Sequence, residues 1–207
     1  VVKVPIQLPI HEGLKYVERQ MPNIDAANSY ATNSDVDLIT DVRVAHRVET
    51  GILSAADQAR TDLILMGWKG YTSTSERIFG EVIDRVVNKA TCDIAVVKVR
   101  GEGKFNRILL PTAGGPHAEY AAELIEPIVK ATGAEVTACY VIAPEADRKQ
   151  EEEAERWMHH TLRNVDLGDV RFRAIRSSSV ANGIIDTASD YDLVVLGAAK
   201  TGIFQHM

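Results

Sequence analysis

Three glycines, Gly67, Gly70 and Gly80, carry the chemistry this sequence offers most clearly. The first closes the apolar run Asp62-Leu-Ile-Leu-Met-Gly67. The second follows Trp68 and Lys69, and the third precedes Glu81 at the start of an amphipathic run. An apolar run ending in glycine reads as a buried strand feeding a tight turn. Glycines there let backbone N–H groups approach a ligand closely, and a helix N-terminus favours an anion. The stretch is therefore a candidate phosphate cradle, with Gly67, Lys69, Gly70, Gly80 and Glu81 as its contacts. It is not a Walker A loop, because no Gly-Lys-Ser/Thr follows four residues after a glycine.

The elements that must position these residues come in two copies. Asp62-Leu-Ile-Leu-Met-Gly67 matches Asp192-Leu-Val-Val-Leu-Gly197, 130 positions on. At the same offset Val42-Arg43-Val44 falls on Phe172-Arg173-Ala174 with no gap between. Gly197 is thus the second copy's counterpart of Gly67. In the first copy the pattern predicts strands over residues 1–6, 37–46, 62–68 and 93–99. It predicts helices over 11–20, ended by Pro22, over 50–60, with Ile52, Ala55, Ala56 and Ala59 inward, and over 76–90. The last has an apolar face of Ile78, Phe79, Val82, Ile83, Val86 and Val87. Residues 23–35 read as a loop or irregular helix. In the second copy, strands are predicted over 107–112, 135–143, 170–176 and 192–197, and helices over 116–132, 145–165 and 180–189. Pro116 opens the first of these helices and Gly133 closes it, in keeping with helix chemistry. Strands alternating with helices imply a parallel sheet covered on both faces.

Composition bounds the rest. The 207 residues are 45% hydrophobic and 25% charged, ordinary for a globular chain able to bury a core. A net charge of -6 argues against nonspecific nucleic-acid binding, which rests on clustered Lys and Arg. No apolar run approaches a membrane span. Cys92 and Cys139 form no Cys-x-x-Cys pair and read as buried, reduced thiols of a cytosolic protein. The chain opens without Met in an apolar run and ends shortly after a strand and turn, and it reads as a piece of a longer polypeptide.

With these residues in hand, the sequence resembles the universal stress proteins. Gly67, Gly70 and Gly80 match that family's Gly-x-x-Gly, nine residues, Gly pattern in type and spacing. Thr91-Cys92-Asp93 and the apolar run after it resemble the family's final strand, with Asp93 in place of Pro. Leu110-Pro111-Thr112-Ala113-Gly114-Gly115 resembles its first strand and turn. The resemblance implies two tandem α/β domains of open parallel sheet, of the adenine nucleotide alpha hydrolase type. The first, 1–101, would lack its opening strand and helix, and the second, 104–207, its closing helix and strand. It implies ATP or another adenine nucleotide as ligand, regulatory rather than enzymatic work, and self-association or a pseudo-dimer of the two copies. Val-Val-Lys-Val-Pro at the start and Pro-Thr-Ala-Gly-Gly-Pro are similar to the cytoplasmic tails of prokaryotic amino-acid permeases. That implies a transporter in the same polypeptide and a cytoplasmic place at the inner face of the membrane.

The departures from the family pattern weaken the nucleotide reading. The Asp that holds the base and ribose side is Ala113 in the second copy. The Ser/Thr that contacts terminal phosphates is Glu81, whose negative charge Lys69 and Arg77 would have to offset. The second copy's loop is Gly197-Ala-Ala-Lys200, without the second glycine. Two hypotheses therefore stand side by side: a nucleotide sensor of weak affinity, and a regulatory or assembly module that has lost nucleotide, with the strand at 93–99 as an open sheet edge. A slow ATPase is a third, for which no base is placed by sequence.

Other candidates read as structure. Glu155 and His159, with His160 adjacent, have metal-ligand spacing but sit in a densely charged, solvated face, and no metal is expected. Ser177-Ser178-Ser179 reads as a loop and helix cap, as do Ser73, Thr74 and Ser75. Trp68 and Trp157 read as packing or interface residues. No Gly-x-Ser-x-Gly elbow is present.

Overall fold

The computed structural model describes residues 1–34, 36–70, 78–99, 103 and 105–198. It divides into two compact units, Val1–Val99 and Arg100–Met207.

The second unit shows why its sequence folds. Strand β5 (Arg107–Pro111) lies between β6 (Glu135–Ile142) and β8 (Leu193–Val194), with β7 (Val170–Arg176) outside β6. All pairings are parallel. Side chains alternate across a strand. Ile108 and Leu110 accordingly join Ala121, Ala122 and Ile125 of helix α4 (Pro116–Thr132) on one face. Leu109 joins Cys139 and Ile175 on the other. Ile108, Leu109 and Leu110 have no exposed surface at all. This is the two-faced cover expected of a central parallel strand. Helix α4 runs between Pro116 at its first turn and Gly133, which adopts φ 69° at its end. Helix α5 (Arg148–Thr161) starts later than predicted. The Asp147 carboxylate accepts the Gln150 N–H (2.9 Å) and the Gln150 side chain accepts the Asp147 N–H (3.0 Å), a reciprocal cap that fixes the helix start. Helix α6 is Val180–Ala188.

The first unit departs further from expectation. Its strands are β1 (Val2–Lys3), β2 (Val44–Ala45), β3 (Leu63–Gly67) and β4 (Asp93–Val97). They form two separate two-stranded parallel sheets, β1–β2 and β3–β4, instead of one. Two 3-10 turns, Ile10–Tyr16 and Glu18–Gln20, replace the helix predicted over 11–20. Pro22 does not end a helix. It sits in the first turn of α1 (Met21–Asn33), where its missing N–H breaks no hydrogen bond. The stretch at 23–35, read as a loop or irregular helix, is therefore regular helix as far as Asn33. Helix α2 is Val48–Ala59 and α3 is Glu81–Lys89. Helix α3 starts after Gly80, whose φ of 106° no helix admits. Ile78 and Phe79 consequently fall outside the helical apolar face assigned to them, while Ile83, Val86 and Val87 are buried on it. Strand β3 is covered on one face only: Ile64 and Met66 are buried, but Leu65 is 66% exposed. Among the described residues no helix is long and apolar enough to cross a membrane.

The contrast between the two strands is measurable by urea unfolding. Leu110→Ala, emptying a sealed site, is expected to lower the stability of the second unit by about 3 kcal/mol. Leu65→Ala is expected to change stability by no more than about 0.5 kcal/mol. Equal losses would contradict the asymmetry.

Candidate functional site

Parallel pairing sets Gly67 beside Val97, so the chain segments leaving β3 and β4 lie together at one edge. The Trp68 N–H donates to the Val97 carbonyl (2.7 Å) and carries the ladder one residue further. Lys69 is exposed, and Gly70 turns with φ 85°. Ser73, Thr74, Ser75 and Arg77 lie outside the described residues. At the far end of the loop the Phe79 ring meets Trp68 edge-on, with centroids 5.3 Å apart. The Phe79 N–H donates to the buried carboxylate of Asp84 (3.0 Å). This bond holds the chain as it enters Gly80 and α3.

The three glycines differ in what surrounds them. A Cβ on Gly67 or Gly80 would meet no described atom within 4 Å, so both present open backbone. A Cβ on Gly70 would overlap Lys98 Cε and Nζ, because that side chain lies across the glycine. Lys98 Nζ also stands 5.3 Å from the Trp68 ring centroid, a cation–π arrangement. The Trp68 indole Nε1 is buried and, among the described residues, has no hydrogen-bond partner. Among the described residues, the Lys98 ammonium, an indole N–H without a partner, open glycine backbone and a helix start without a side-chain cap thus lie at one strand edge. Sequence reasoning missed Lys98. The parallel register, which places residue 98 beside residue 68, was the signal that would have found it.

The charge on Glu81 is offset by a residue other than those expected. Arg85 reaches Glu81 Oε1 (2.7 Å) with one nitrogen and Glu49 Oε1 (2.8 Å) with another. Glu49 is almost wholly buried at the start of α2, and the Arg85 hydrogen bond holds its carboxyl below the usual range. The same pair raises the Arg85 pKa. Arg85 therefore ties α2 to α3 and neutralises part of the acid at the head of α3.

The second unit's equivalent edge is partly filled by protein: a Cβ on Gly115 would meet no described atom within 4 Å, whereas Gly114 and Gly197 are closely contacted. Thr112 follows β5, donates its N–H to the Cys139 carbonyl (2.8 Å), accepts the Gly114 N–H (2.9 Å) and meets the Thr161 hydroxyl (2.7 Å). Thr161 in turn donates to the Trp157 carbonyl (2.9 Å). The Trp157 ring lies on Gly114, where a Cβ would overlap it. Gly114 and Gly115 take φ of 80° and 86°, which suits only glycine well. Gly197 is packed so tightly against the His117 carbonyl that a Cβ there would collide with backbone. A Cβ on its counterpart Gly67 would meet no described atom within 4 Å. Ala199 and Lys200 lie outside the described residues.

The remaining candidates take structural places. His159 Nε2 is 3.8 Å from Glu155, both side chains exposed, and the His159 ring lies 4.1 Å from that of Phe172. Among the described residues no three His, Cys, Asp or Glu side chains gather as a metal site. Ser179 caps α6 by accepting the Asn182 N–H (3.4 Å). Cys139 is buried, and burial pushes its thiol up to about 12, which keeps it protonated and unreactive. Cys92, expected to be buried, is only half-buried.

With the geometry in place, comparison with known proteins decides the family. The model of the Universal stress protein family matches residues 6–98 and, separately, residues 104–207. The chain belongs to the universal stress protein family. A universal stress protein from Archaeoglobus fulgidus DSM 4304 superposes with a TM-score of 0.64 at 16% identity, over 92% of this chain and 68% of that one. A universal stress protein solved in complex with cAMP matches with a TM-score of 0.41 at 13% identity, over 51% of this chain and 87% of that one. The Na(+)/H(+) antiporter NhaS5 of Synechocystis sp. (strain ATCC 27184 / PCC 6803 / Kazusa) is 26% identical over 203 residues, 95% of this chain. The chain spans 29% of that antiporter's length.

The Arg85 bridge makes a pH prediction. Arg85→Ala leaves the Glu49 carboxylate buried and unpaired, and is expected to cost about 1–3 kcal/mol at pH 7. Because the folded Glu49 pKa is depressed, the stabilisation is complete above the ordinary carboxylate value of 4.5 and is lost as pH falls through the lower folded value. Urea unfolding of both proteins from pH 7 to pH 3 should show the difference shrinking. A pH-independent difference would contradict this.

Proposed function

We propose that this universal stress protein chain is a regulatory module with one weak adenine-nucleotide site, in the first unit. The observation that carries the reading is the contrast between the two edges. Among the described residues, Gly67 and Gly80 leave backbone open beside Lys98 and a Trp68 Nε1 without a partner, whereas Gly114 and Gly197 lie under Trp157 and against His117. Phosphates would rest on the backbone at Gly70 and Gly80 and the start of α3, with Lys69 and Lys98 supplying positive charge. Glu81 would keep the affinity low, since its charge is only partly offset by Arg85. Occupancy would favour one arrangement of the β3–α3 connection, and that change is what a partner would read.

The antiporter relative favours a second element of the reading: that the module works beside a transporter, in the cytoplasm at the inner face of the membrane. The transporter matched here moves ions, so the amino-acid permease setting remains one form of the proposal. Self-association through the outer edge of β4, which among the described residues pairs with β3 alone, belongs to the same proposal.

Calorimetric titration with ATP tests the nucleotide site. Glu81→Ser removes a like charge and is expected to tighten binding about tenfold, and Lys98→Ala to weaken it about tenfold, each close to 1.4 kcal/mol. Trp157→Ala should leave the heat unchanged. Absence of heat at millimolar ATP from both the unaltered chain and the Glu81→Ser variant would remove nucleotide from the function.

A further inference from the structure

One guanidinium in the first unit serves two carboxylates. Arg85 lies one turn into α3, and a helical side chain leans back toward the start of its helix. Its Nη2 reaches Glu81 Oε1 (2.7 Å) at the first position of α3. Its Nη1 reaches Glu49 Oε1 (2.8 Å) in the first turn of α2. The two acids differ in what they need from it. Glu49 is only 4% exposed, and a carboxylate buried without a cation is costly. The Glu81 side chain is 50% exposed, so water can replace Arg85 there.

The two arms of the guanidinium are also spent in different places. The Nη1 arm belongs to the contact between α2 and α3. The Nη2 arm belongs to the head of α3, which follows Gly80 directly and has no side-chain cap. A phosphate resting there is an anion drawn to the same cation. Arginine offers carboxylate and phosphate one fork of N–H groups, and can hold two anions at once. Glu81 therefore does more than repel a phosphate. It holds the arm of Arg85 that a phosphate would take.

We propose that Arg85 is the residue through which the first unit senses phosphate. Glu81 is a resident placeholder on its Nη2 arm, and the ligand's phosphate displaces it. Glu49, buried and in need of its cation, keeps the Nη1 arm throughout. The bound ligand is then tied through one guanidinium to α2, which becomes an element that feels occupancy. The inference rests on the nucleotide site proposed above, and it names how that site is held weak and how it reports.

A double-mutant cycle on ATP affinity, read by calorimetry on the 207-residue chain, tests it. Simple repulsion and displacement from Arg85 both give the gain of about tenfold for Glu81→Ser in the unaltered chain. They part in a background without Arg85. That background is Glu49→Gln with Arg85→Gln, in which two amides replace the ion pair and no buried carboxylate is left alone. There the gain from Glu81→Ser is expected to fall below about twofold, because no arm is released. Arg85→Lys is the milder variant: its compact ammonium stays with buried Glu49, and the gain should shrink likewise. Amide hydrogen exchange gives a second readout. ATP should slow exchange along α2 in the unaltered chain, and not in the background without Arg85. A tenfold or larger gain without Arg85 is what repulsion alone requires, and it would overturn the inference. So would ATP binding that leaves α2 unchanged, or that protects α2 equally without Arg85. Each of these leaves the nucleotide site standing, whereas no heat from the unaltered chain and from Glu81→Ser removes both.

Discussion

Every strand pairing among the described residues is parallel, and that constraint decides where the chemistry lies. Parallel strands need a crossover between them, so helices cover the sheet and the connections leaving the strands gather at one edge. Open sheets of this kind bind ligands beyond the carboxyl ends of their strands. The loop after β3 and the residue after β4 meet there because Gly67 pairs with Val97. Lys98 reaches Trp68 and Gly70 as a consequence of that register, although 28 positions separate Gly70 from Lys98 in the sequence.

The duplication shows how one residue type comes to do different work. Gly67 and Gly197 close equivalent apolar runs. One has no described atom near the place of a Cβ, and the other lets the His117 backbone come into contact. Trp157 fills the turn after β5 by lying on Gly114, with the Thr112–Thr161 hydroxyl pair fastening α5 beneath it. Two copies that began alike can thus divide their roles, one keeping an open edge and the other spending the same space on packing.

Much of the fold was legible in the sequence, because long apolar periods and helix-end chemistry are local. Residues 116–132 and 170–176 come out as read, with Pro116, Gly133 and the strand pattern fixing them. The rest depended on partners. Residues 37–46 read as a strand, but only Val44 and Ala45 find a ladder, since β1 offers just two residues to pair with. Pro22 reads as a stop because a proline signals both ends of a helix, and local sequence does not say which. At the candidate site the glycine spacing was visible from the start. Lys98, Arg85 and Trp157 were not, because each acts across a contact that only the folded chain creates. Glu81 was read as an acid facing phosphate, with Lys69 and Arg77 to offset it, while Arg85, one helical turn on, does so.

The central claim is that this family member keeps one open strand edge and has closed the other. Amide chemical shifts during an ATP titration test it most directly, because glycine amides are resolved and lie in both units. The account predicts dose-dependent shifts at Gly67, Gly70 and Gly80, with Gly114, Gly115 and Gly197 unmoved. Equal shifts in both sets, or shifts confined to the second, would contradict it.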